Sequence, residues 1–147
     1  MDYQLVTFKL DEEEFGVDIL KVQEIIRTVE ITVVPKMPGY MEGVINLRGK
    51  VIPVVNLRTR FNKPTTEQNN NTRIVVVNLN NITLGLLVDS VSEVLRLSED
   101  VVEPPPPIME GGMDTEYIQS VGRLEDRLLI LLDLEKVFGD DGVLSFV

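Results

Sequence analysis

The chain has 147 residues and a formal net charge of -10, with 24 acidic and 14 basic side chains. It contains neither Cys nor His, which excludes disulfide bonds, cysteine zinc sites, thiolate nucleophiles and the usual Ser-His-Asp arrangement. The acidic excess argues against nucleic acid or an anionic membrane surface as the main partner, because both would repel the chain. We therefore expect a protein partner.

The N-terminal segment lacks the basic start and the long apolar stretch of a signal peptide. The longest apolar run, Leu128 to Leu132, is too short to cross a bilayer. The sequence thus predicts a cytoplasmic protein without direct membrane insertion.

The first half begins with a predicted hairpin. Leu5 to Leu10 has the pattern of a strand, the acidic residues 11–14 have that of an exposed turn, and Phe15 to Val17 have that of the return strand. Residues 18–27 predict a short helix that passes into a strand, because apolar residues at helical spacing give way to β-branched ones. Residues 35–39, with two Pro and one Gly, predict a loop.

A second hairpin is predicted from the strings GVINL and KVIPVVNL. Arg48 and Gly49 separate them, and Gly49 is suited to a tight turn with a positive backbone φ. Residues 57–61 predict one helical turn. The polar stretch 62–72 predicts the connection between the halves.

The second half follows the same order. Strands are predicted at RIVVVNL, ITLGLLV and SVSEVLRL, a last hairpin at YIQSVGRL and RLLILLDL, and a closing helical turn at LEKVF. A feature without a match in the first half is the run Pro104 to Pro107, which predicts an extended polyproline connector before a Gly-rich bend.

The halves are related by an internal repeat. Leu5–Arg27 moved forward by about 69 positions matches Ile74–Arg96 without a gap, and Met41–Phe61 moved by about 77 positions matches Ile118–Phe138. We call residues related in this way counterparts. Shared positions are expected to serve folding, and positions that differ are the better candidates for function.

The tip of the second hairpin is where the halves differ most clearly. The flanking apolar residues are kept, but the polar ones are not: Asn46, Arg48 and Gly49 face Arg123, Glu125 and Asp126. The scaffold is therefore common to both halves, and the tip is not.

Many short strands at regular spacing predict an all-β protein of two small barrels or sandwiches, with short helical turns. Within a single domain over residues 1–147, we predict lobe one at about 1–64, a linker at about 65–72 and lobe two at about 73–139. Lobes this small bury little surface alone, so a shared apolar seam is expected. The sequence leaves open whether the halves exchange their first strands.

Two strings resemble the signature of the CheW family, the coupling proteins of bacterial chemotaxis. They are EFGVDILKVQEI at residues 14–25 and GVINLRGKVIPVVNLR at residues 43–58. The resemblance covers nearly the whole chain, including VDSVSEVL and RLLILLDLEKVF. One departure is Asn56, where many relatives carry Asp; we interpret it as a polar group at a strand end, because its counterpart is Asp133.

The resemblance implies two five-stranded SH3-like β-barrel lobes around a common core, with no catalysis and no cofactor. It also implies an adaptor in membrane-associated receptor arrays that binds the regulatory domain of the histidine kinase CheA and the cytoplasmic tip of chemoreceptors. The resemblance further implies receptor contact in the groove between the lobes, with the hairpin at its edge, and kinase contact on the lobe ends. This nominates Val22, Glu24, Gly43, Asn46, Arg48 and Gly49.

Two further hypotheses concern this site. Arg48 is expected to pair with Glu24, because both lie in the family-like strings and carry opposite charges. Apolar residues at equivalent places in the two halves could line the seam between the lobes, with core packing as the alternative for each: Ile19, Val22, Val88 and Val91.

Other functions are weighed against this one. The chain could be the regulatory β-barrel module of a related kinase, or a small-ligand sensor or enzyme that uses Asp18, Asp89 or Asp133. The acidic residues 11–14 are interpreted as a solvated turn, since they lack the geometry of a calcium loop. No phosphate-binding loop or kinase signature is found, and nucleic-acid binding ranks last.

Overall fold

The computed structural model describes residues 2–37, 39–105 and 117–139, and within these ranges most residues lie in β-strands. The strands are β1 (Asp2–Leu10), β2 (Glu13–Asp18), β3 (Val22–Arg27), β4 (Met41–Leu47), β5 (Lys50–Asn56), β6 (Arg73–Leu79), β7 (Ile82–Val88), β8 (Ser90–Ser98), β9 (Val102–Glu103), β10 (Ile118–Arg123) and β11 (Leu128–Leu132). The helices are α1 (Leu57–Arg60) and α2 (Leu134–Gly139), with 3-10 turns at Ile19–Lys21 and Glu99–Val101.

This element order confirms the predicted all-β class and the short helical turns. The predicted helix after β2 is the single 3-10 turn, and β3 follows it directly. Of the predicted polyproline run, Pro106 and Pro107 lie outside the described residues.

The strands form two sheets. The five-stranded sheet has the order β3-β6-β7-β5-β4, and the six-stranded sheet has the order β8-β1-β2-β11-β10-β9. The sixth strand, which the sequence did not predict, is the two-residue β9 paired with β10. The arrangement is the two-lobe SH3-like fold that the resemblance implied.

Each sheet contains strands from both halves of the sequence. The hairpin β1–β2 lies in the sheet of β8 to β11, and its counterpart β6–β7 lies in the sheet of β3 to β5. In each sheet, a parallel strand pair connects the hairpin from one half to the strands of the other half. These pairs are β2 with β11 and β7 with β5. The sheets are therefore formed by a reciprocal exchange of first hairpins. The lobe limits drawn on the sequence stay a prediction.

Both faces of the central strands are buried, which explains their nearly continuous apolar sequences. On β6, Ile74 and Val76 belong to a cluster confined to the five-stranded sheet, whereas Val75 and Val77 belong to a larger cluster. That larger cluster contains residues of both sheets, and we call it the common core. It is the apolar seam expected between the lobes.

Two glycines at counterpart positions allow close packing on the inner strands. A Cβ atom at Gly16 would lie 3.2 Å from Leu5 Cδ1, and one at Gly85 would lie 2.8 Å from Ile74 Cγ2. Leu5 and Ile74 are themselves counterparts. The shared glycines thus serve folding, as the repeat indicates.

The polar residue at the end of β5 caps the helix that follows. Asn56 Oδ1 accepts a hydrogen bond from the Arg58 backbone N–H at 2.9 Å. Its counterpart Asp133 accepts one from the Lys136 N–H at 3.3 Å. Asn and Asp are both good N-caps, so the departure at Asn56 preserves the local role.

Candidate protein-binding site

Glu24 and Arg48 form a bidentate ion pair on the five-stranded sheet. Glu24 lies on β3, and Arg48 is the first residue of the two-residue turn between β4 and β5. Arg48 Nη1 lies 3.2 Å from Glu24 Oε1, and Arg48 Nη2 donates to Glu24 Oε2. The predicted pairing is confirmed.

The pair connects the two edges of its sheet. β3 and β4 are the first and last strands of the order, so the ion pair joins edges that have no ladder between them. The hydrogen bond from Arg48 lowers the pKa of the Glu24 carboxyl. Exposed pairs contribute little to stability. The Glu24–Arg48 pair instead fixes the hairpin tip against β3. We call this pair the edge clamp.

Asn46 and Gly49 shape the tip beside the clamp. Asn46 Oδ1 accepts the Gly49 backbone N–H at 2.8 Å. Arg48 and Gly49 both have positive φ, at 52° and 83°, and this backbone conformation is typical of a two-residue hairpin turn. A Cβ atom at Gly49 would have no atom within 4 Å. The tip therefore exposes its backbone to any partner that approaches it.

Gly43 has a structural role beneath this tip. Its φ is 145°, and a Cβ atom there would lie 2.1 Å from the Thr32 carbonyl oxygen. The space is needed because Thr32 and Val44 exchange two backbone hydrogen bonds of 2.8 Å, which hold the loop before β4 against that strand. Gly43 is buried and acts through the position of this loop.

The four apolar candidates all contact the common core, but to different depths. Val88 is 2% exposed and belongs to the core itself, so it offers no surface to a partner. Ile19, Val22 and Val91 are partly buried and pack against the core from its margin. Val22 lies two residues before Glu24, and Val91 lies two residues before the counterpart Glu93. Both valine side chains are partly exposed to solvent.

A second clamp, which the sequence analysis missed, lies on the six-stranded sheet. Arg127, at the end of the turn before β11, reaches Glu93 on β8 at 3.2 Å and Glu14 on β2 at 2.6 Å. Hydrogen bonding to Glu14 raises the pKa of Arg127. The counterpart of Arg127 is Lys50, one residue after the turn that carries Arg48. Glu93 could have been used to predict this clamp, because it is the counterpart of Glu24. Its cation was not predicted, because Arg127 does not stand at the position of Arg48 in the repeat.

Comparison with known proteins identifies the family. A CheW-like domain model matches residues 4–142. The chemotaxis protein CheW of Klebsiella aerogenes is 37% identical over 94% of this chain and 82% of its own length. The CheW of Treponema pallidum is 36% identical over 92% of this chain and 82% of its own length. The chain belongs to the CheW family.

A solved CheW structure agrees with this assignment. The crystal structure of the scaffolding protein TtCheW from Thermoanaerobacter tengcongensis superposes with a TM-score of 0.87 at 36% sequence identity. The match covers 99% of this chain and 94% of that one. The match therefore extends over both sheets of this chain. In the described ranges, no helix is long and apolar enough to cross a membrane.

Of the three carboxylates considered for an enzyme or sensor, two lie near each other in this CheW-family chain and the third lies apart. Asp18 caps a 3-10 turn through the Leu20 N–H at 2.9 Å, and Asp133 caps α2. These two line one depression of about 220 Å³, whereas Asp89 pairs with Arg58 elsewhere. The described residues contain no group of three carboxylates placed to hold a metal ion.

Asp89 belongs instead to an ion-pair network around the buried Arg58 that connects the sheets. Arg58, which is 7% exposed, donates to Asp89 at 2.8 and 2.6 Å, to Asp11 in the β1–β2 turn, and to the Pro64 carbonyl at 2.8 Å. The hydrogen bonds with Asp89 raise the pKa of Arg58. Burial alone would raise the pKa of Asp89, but the hydrogen bonds from Arg58 lower it overall.

Proposed function

We propose that this chain is a non-catalytic adaptor that couples chemoreceptors to the histidine kinase CheA in bacterial chemotaxis. The observation that carries the proposal is the edge clamp, an ion pair that fixes an exposed hairpin tip in a chain of the CheW family. The similar proteins are named chemotaxis proteins, and the solved one is named a scaffolding protein. Reversible contacts with two partners need no cofactor.

The cytoplasmic tip of the receptor, a helical hairpin, binds at the edge clamp. Val22 supplies apolar surface, and Asn46, Arg48 and Gly49 supply a tip whose backbone is held in one conformation. This suits a helix laid against the sheet edge, because burial provides affinity and fixed polar groups provide register. Glu24 holds Arg48 in place for that contact.

The remaining candidates act around this surface. Gly43 and Val88 support it from within, and Val91 extends it at the margin of the common core. The regulatory domain of CheA, which has the same fold, binds at the lobe ends. The adaptor then works in the cytoplasm at membrane receptor arrays, where the receptor state reaches the kinase through the relative placement of the partners.

The test is a three-component assembly of CheA, receptor tip and this protein, with kinase activity as the readout. Arg48→Glu makes the tip resemble its acidic counterpart Glu125 and places two carboxylates together. We expect normal folding by circular dichroism and loss of receptor-dependent kinase control. Full coupling by this variant would contradict the site.

A charge swap separates the clamp from a direct contact by Arg48. The double variant Glu24→Arg with Arg48→Glu restores the ion pair with reversed polarity. Recovery of coupling would assign the pair a positioning role, and continued loss would assign Arg48 a direct contact with the receptor. Kinase binding without receptor, measured in the same variants, should be unchanged.

A further inference from the structure

The six-stranded sheet has a cavity of about 690 Å³ at one end. Leu5, Ile19, Leu131 and Leu132 form apolar parts of its wall, and Asp18 is among the polar residues that line it. A volume of a few hundred Å³ with an apolar wall and a few polar groups is typical of a binding site.

The repeat shows how the wall of this cavity differs from the equivalent place in the five-stranded sheet. Leu5 and Leu131 have the counterparts Ile74 and Val54, which pack in the five-stranded sheet against Leu87. Leu87 is 7% exposed and completes that apolar cluster. Its counterpart in the six-stranded sheet is Asp18, whose carboxylate is exposed and accepts the Leu20 N–H. An aspartate thus stands where a leucine completes the equivalent core.

An acidic depression continues from the cavity. It has about 220 Å³ and shares Asp18 and Leu132 with the cavity, so the two form one groove. Asp133 lines it as well, and among the described residues neither Asp18 nor Asp133 lies within ion-pair distance of a cation.

The two cations along this groove are already paired. Lys21 pairs with Glu135, and Arg96 lies 3.6 Å from Asp2. Lys21 also interacts electrostatically with Asp18 and Asp133. The groove therefore combines an apolar end with an excess of negative charge, because Asp18, Asp133 and Glu135 share Lys21 as the cation that lines the depression among the described residues.

We propose that this groove binds a basic amphipathic segment of a partner protein. An aliphatic side chain of the segment enters the cavity beside Ile19 and the exposed Leu20, and a Lys or Arg of the segment pairs with Asp18 and Asp133. A second copy of this chain is disfavoured as the occupant, because each copy carries a net charge of -10. The site is separate from the edge clamp, with which it shares no residue.

The binding test uses a labelled helical peptide of leucine and lysine with one apolar face. Binding is measured by fluorescence polarisation, and its position by methyl NMR of the full chain. Signals of Leu5, Ile19, Leu131 and Leu132 should shift. Asp18→Leu, which copies the Leu87 counterpart, should remove these shifts while the far-UV circular dichroism stays that of the wild type, although loss of the Asp18 cap lowers the melting temperature slightly.

A second variant keeps the cavity and both helix caps. Asp18→Asn with Asp133→Asn removes the two charges, and Asn still caps. We expect the peptide to bind about tenfold more weakly, as the loss of one or two ion pairs at a partly exposed site predicts. The matched control is Glu12→Gln with Glu67→Gln, two exposed carboxylates outside the groove, which should change binding less than twofold.

Three outcomes would overturn the proposal. If the paired Asn variant and the paired Gln control weakened peptide binding equally, the binding would depend only on net charge. Shifts of the same methyl groups on concentrating the free protein would place a second copy in the groove. Contacts of these methyl groups with residues outside the described ranges in the free protein would show that the groove is filled internally. Because receptor coupling is measured separately through Arg48, failure here leaves the adaptor function unaffected.

Discussion

Arg60 donates two hydrogen bonds to the carbonyl oxygen of Val137, its own counterpart in the repeat, at 2.9 and 2.6 Å. The Arg60 guanidinium carbon also lies 5.0 Å from the ring centroid of Tyr40 and 4.7 Å from that of Tyr117, and these tyrosines are counterparts too. A residue that contacts its own counterpart must lie near the axis that relates the halves. The two halves differ at this position, since one has Arg60 and the other has the smaller, buried Val137.

The first prediction concerns this axial position. Arg60→Met keeps the apolar length but removes the donors to Val137 and both cation–π contacts, so the free energy of unfolding should fall by about 2 kcal/mol. Arg60→Lys should lie between wild type and Met, because it keeps the charge but loses the planar fork. Urea unfolding followed by circular dichroism measures the difference. Equal stability of all three proteins would show that the contacts do not hold the halves together.

The second prediction is an acid-dependent loss of stability through Asp89. Its pKa in the folded protein is below the ordinary value of 3.8, so the folded state binds fewer protons than the unfolded state around that pH. Its contribution is therefore complete above the unfolded pKa and disappears as the pH falls through the folded one. Asp89→Asn should lower stability by about 2 kcal/mol at pH 7 and by much less at pH 3.

Chemical denaturation at a series of pH values provides the test for Asp89. The matched control is Asp126→Asn, since Asp126 is an exposed turn residue and Arg127 retains Glu14 and Glu93 without it. Its stability difference from wild type should be small at every pH. If Asp89→Asn gave the same difference at pH 3 and pH 7, the ionised carboxylate would not be the stabilising group.

The parts of this structure that the sequence predicted are those determined by local pattern or by the repeat. The strand alternation and the turn at Arg48 and Gly49 are local signals, and the Glu24 pairing follows from opposite charges in one family-like pattern. Arg127 was missed because a long side chain crosses several strands, and sequence spacing does not record that reach. The burial of Val88 was likewise undetermined, since its counterpart Ile19 is equally apolar but lies at the margin.

The third prediction compares two glycines in the same hairpin. Gly43→Ala should lower stability by about 3 kcal/mol, because the new Cβ atom must displace the Thr32 carbonyl as well as adopt an unfavourable φ. Gly49→Ala should cost about 1 kcal/mol, since that site has open space and only the φ is unfavourable. Hydrogen exchange of the Val44 N–H should accelerate in Gly43→Ala alone. Similar costs and unchanged Val44 exchange would contradict the assigned role of Gly43.

The last prediction separates core from surface among the apolar candidates. Val88→Asp places a carboxylate without a partner in the common core, where Val88 is 2% exposed, and the protein should fail to fold or melt at a much lower temperature. Val22→Asp places the same group on edge strand β3 at a partly exposed position. It should melt close to wild type yet lose binding to a receptor-tip fragment in a pull-down.

Val91→Asp completes this comparison, because Val91 is the counterpart of Val22 and is exposed to a similar degree on the other sheet. Because Val91 extends the receptor surface at the margin of the common core, Val91→Asp should weaken receptor binding as Val22→Asp does. Retained binding in Val91→Asp would restrict the receptor contact to the clamp side. Retained binding in Val22→Asp, with normal melting, would remove Val22 from the site and leave the hairpin tip as the receptor contact.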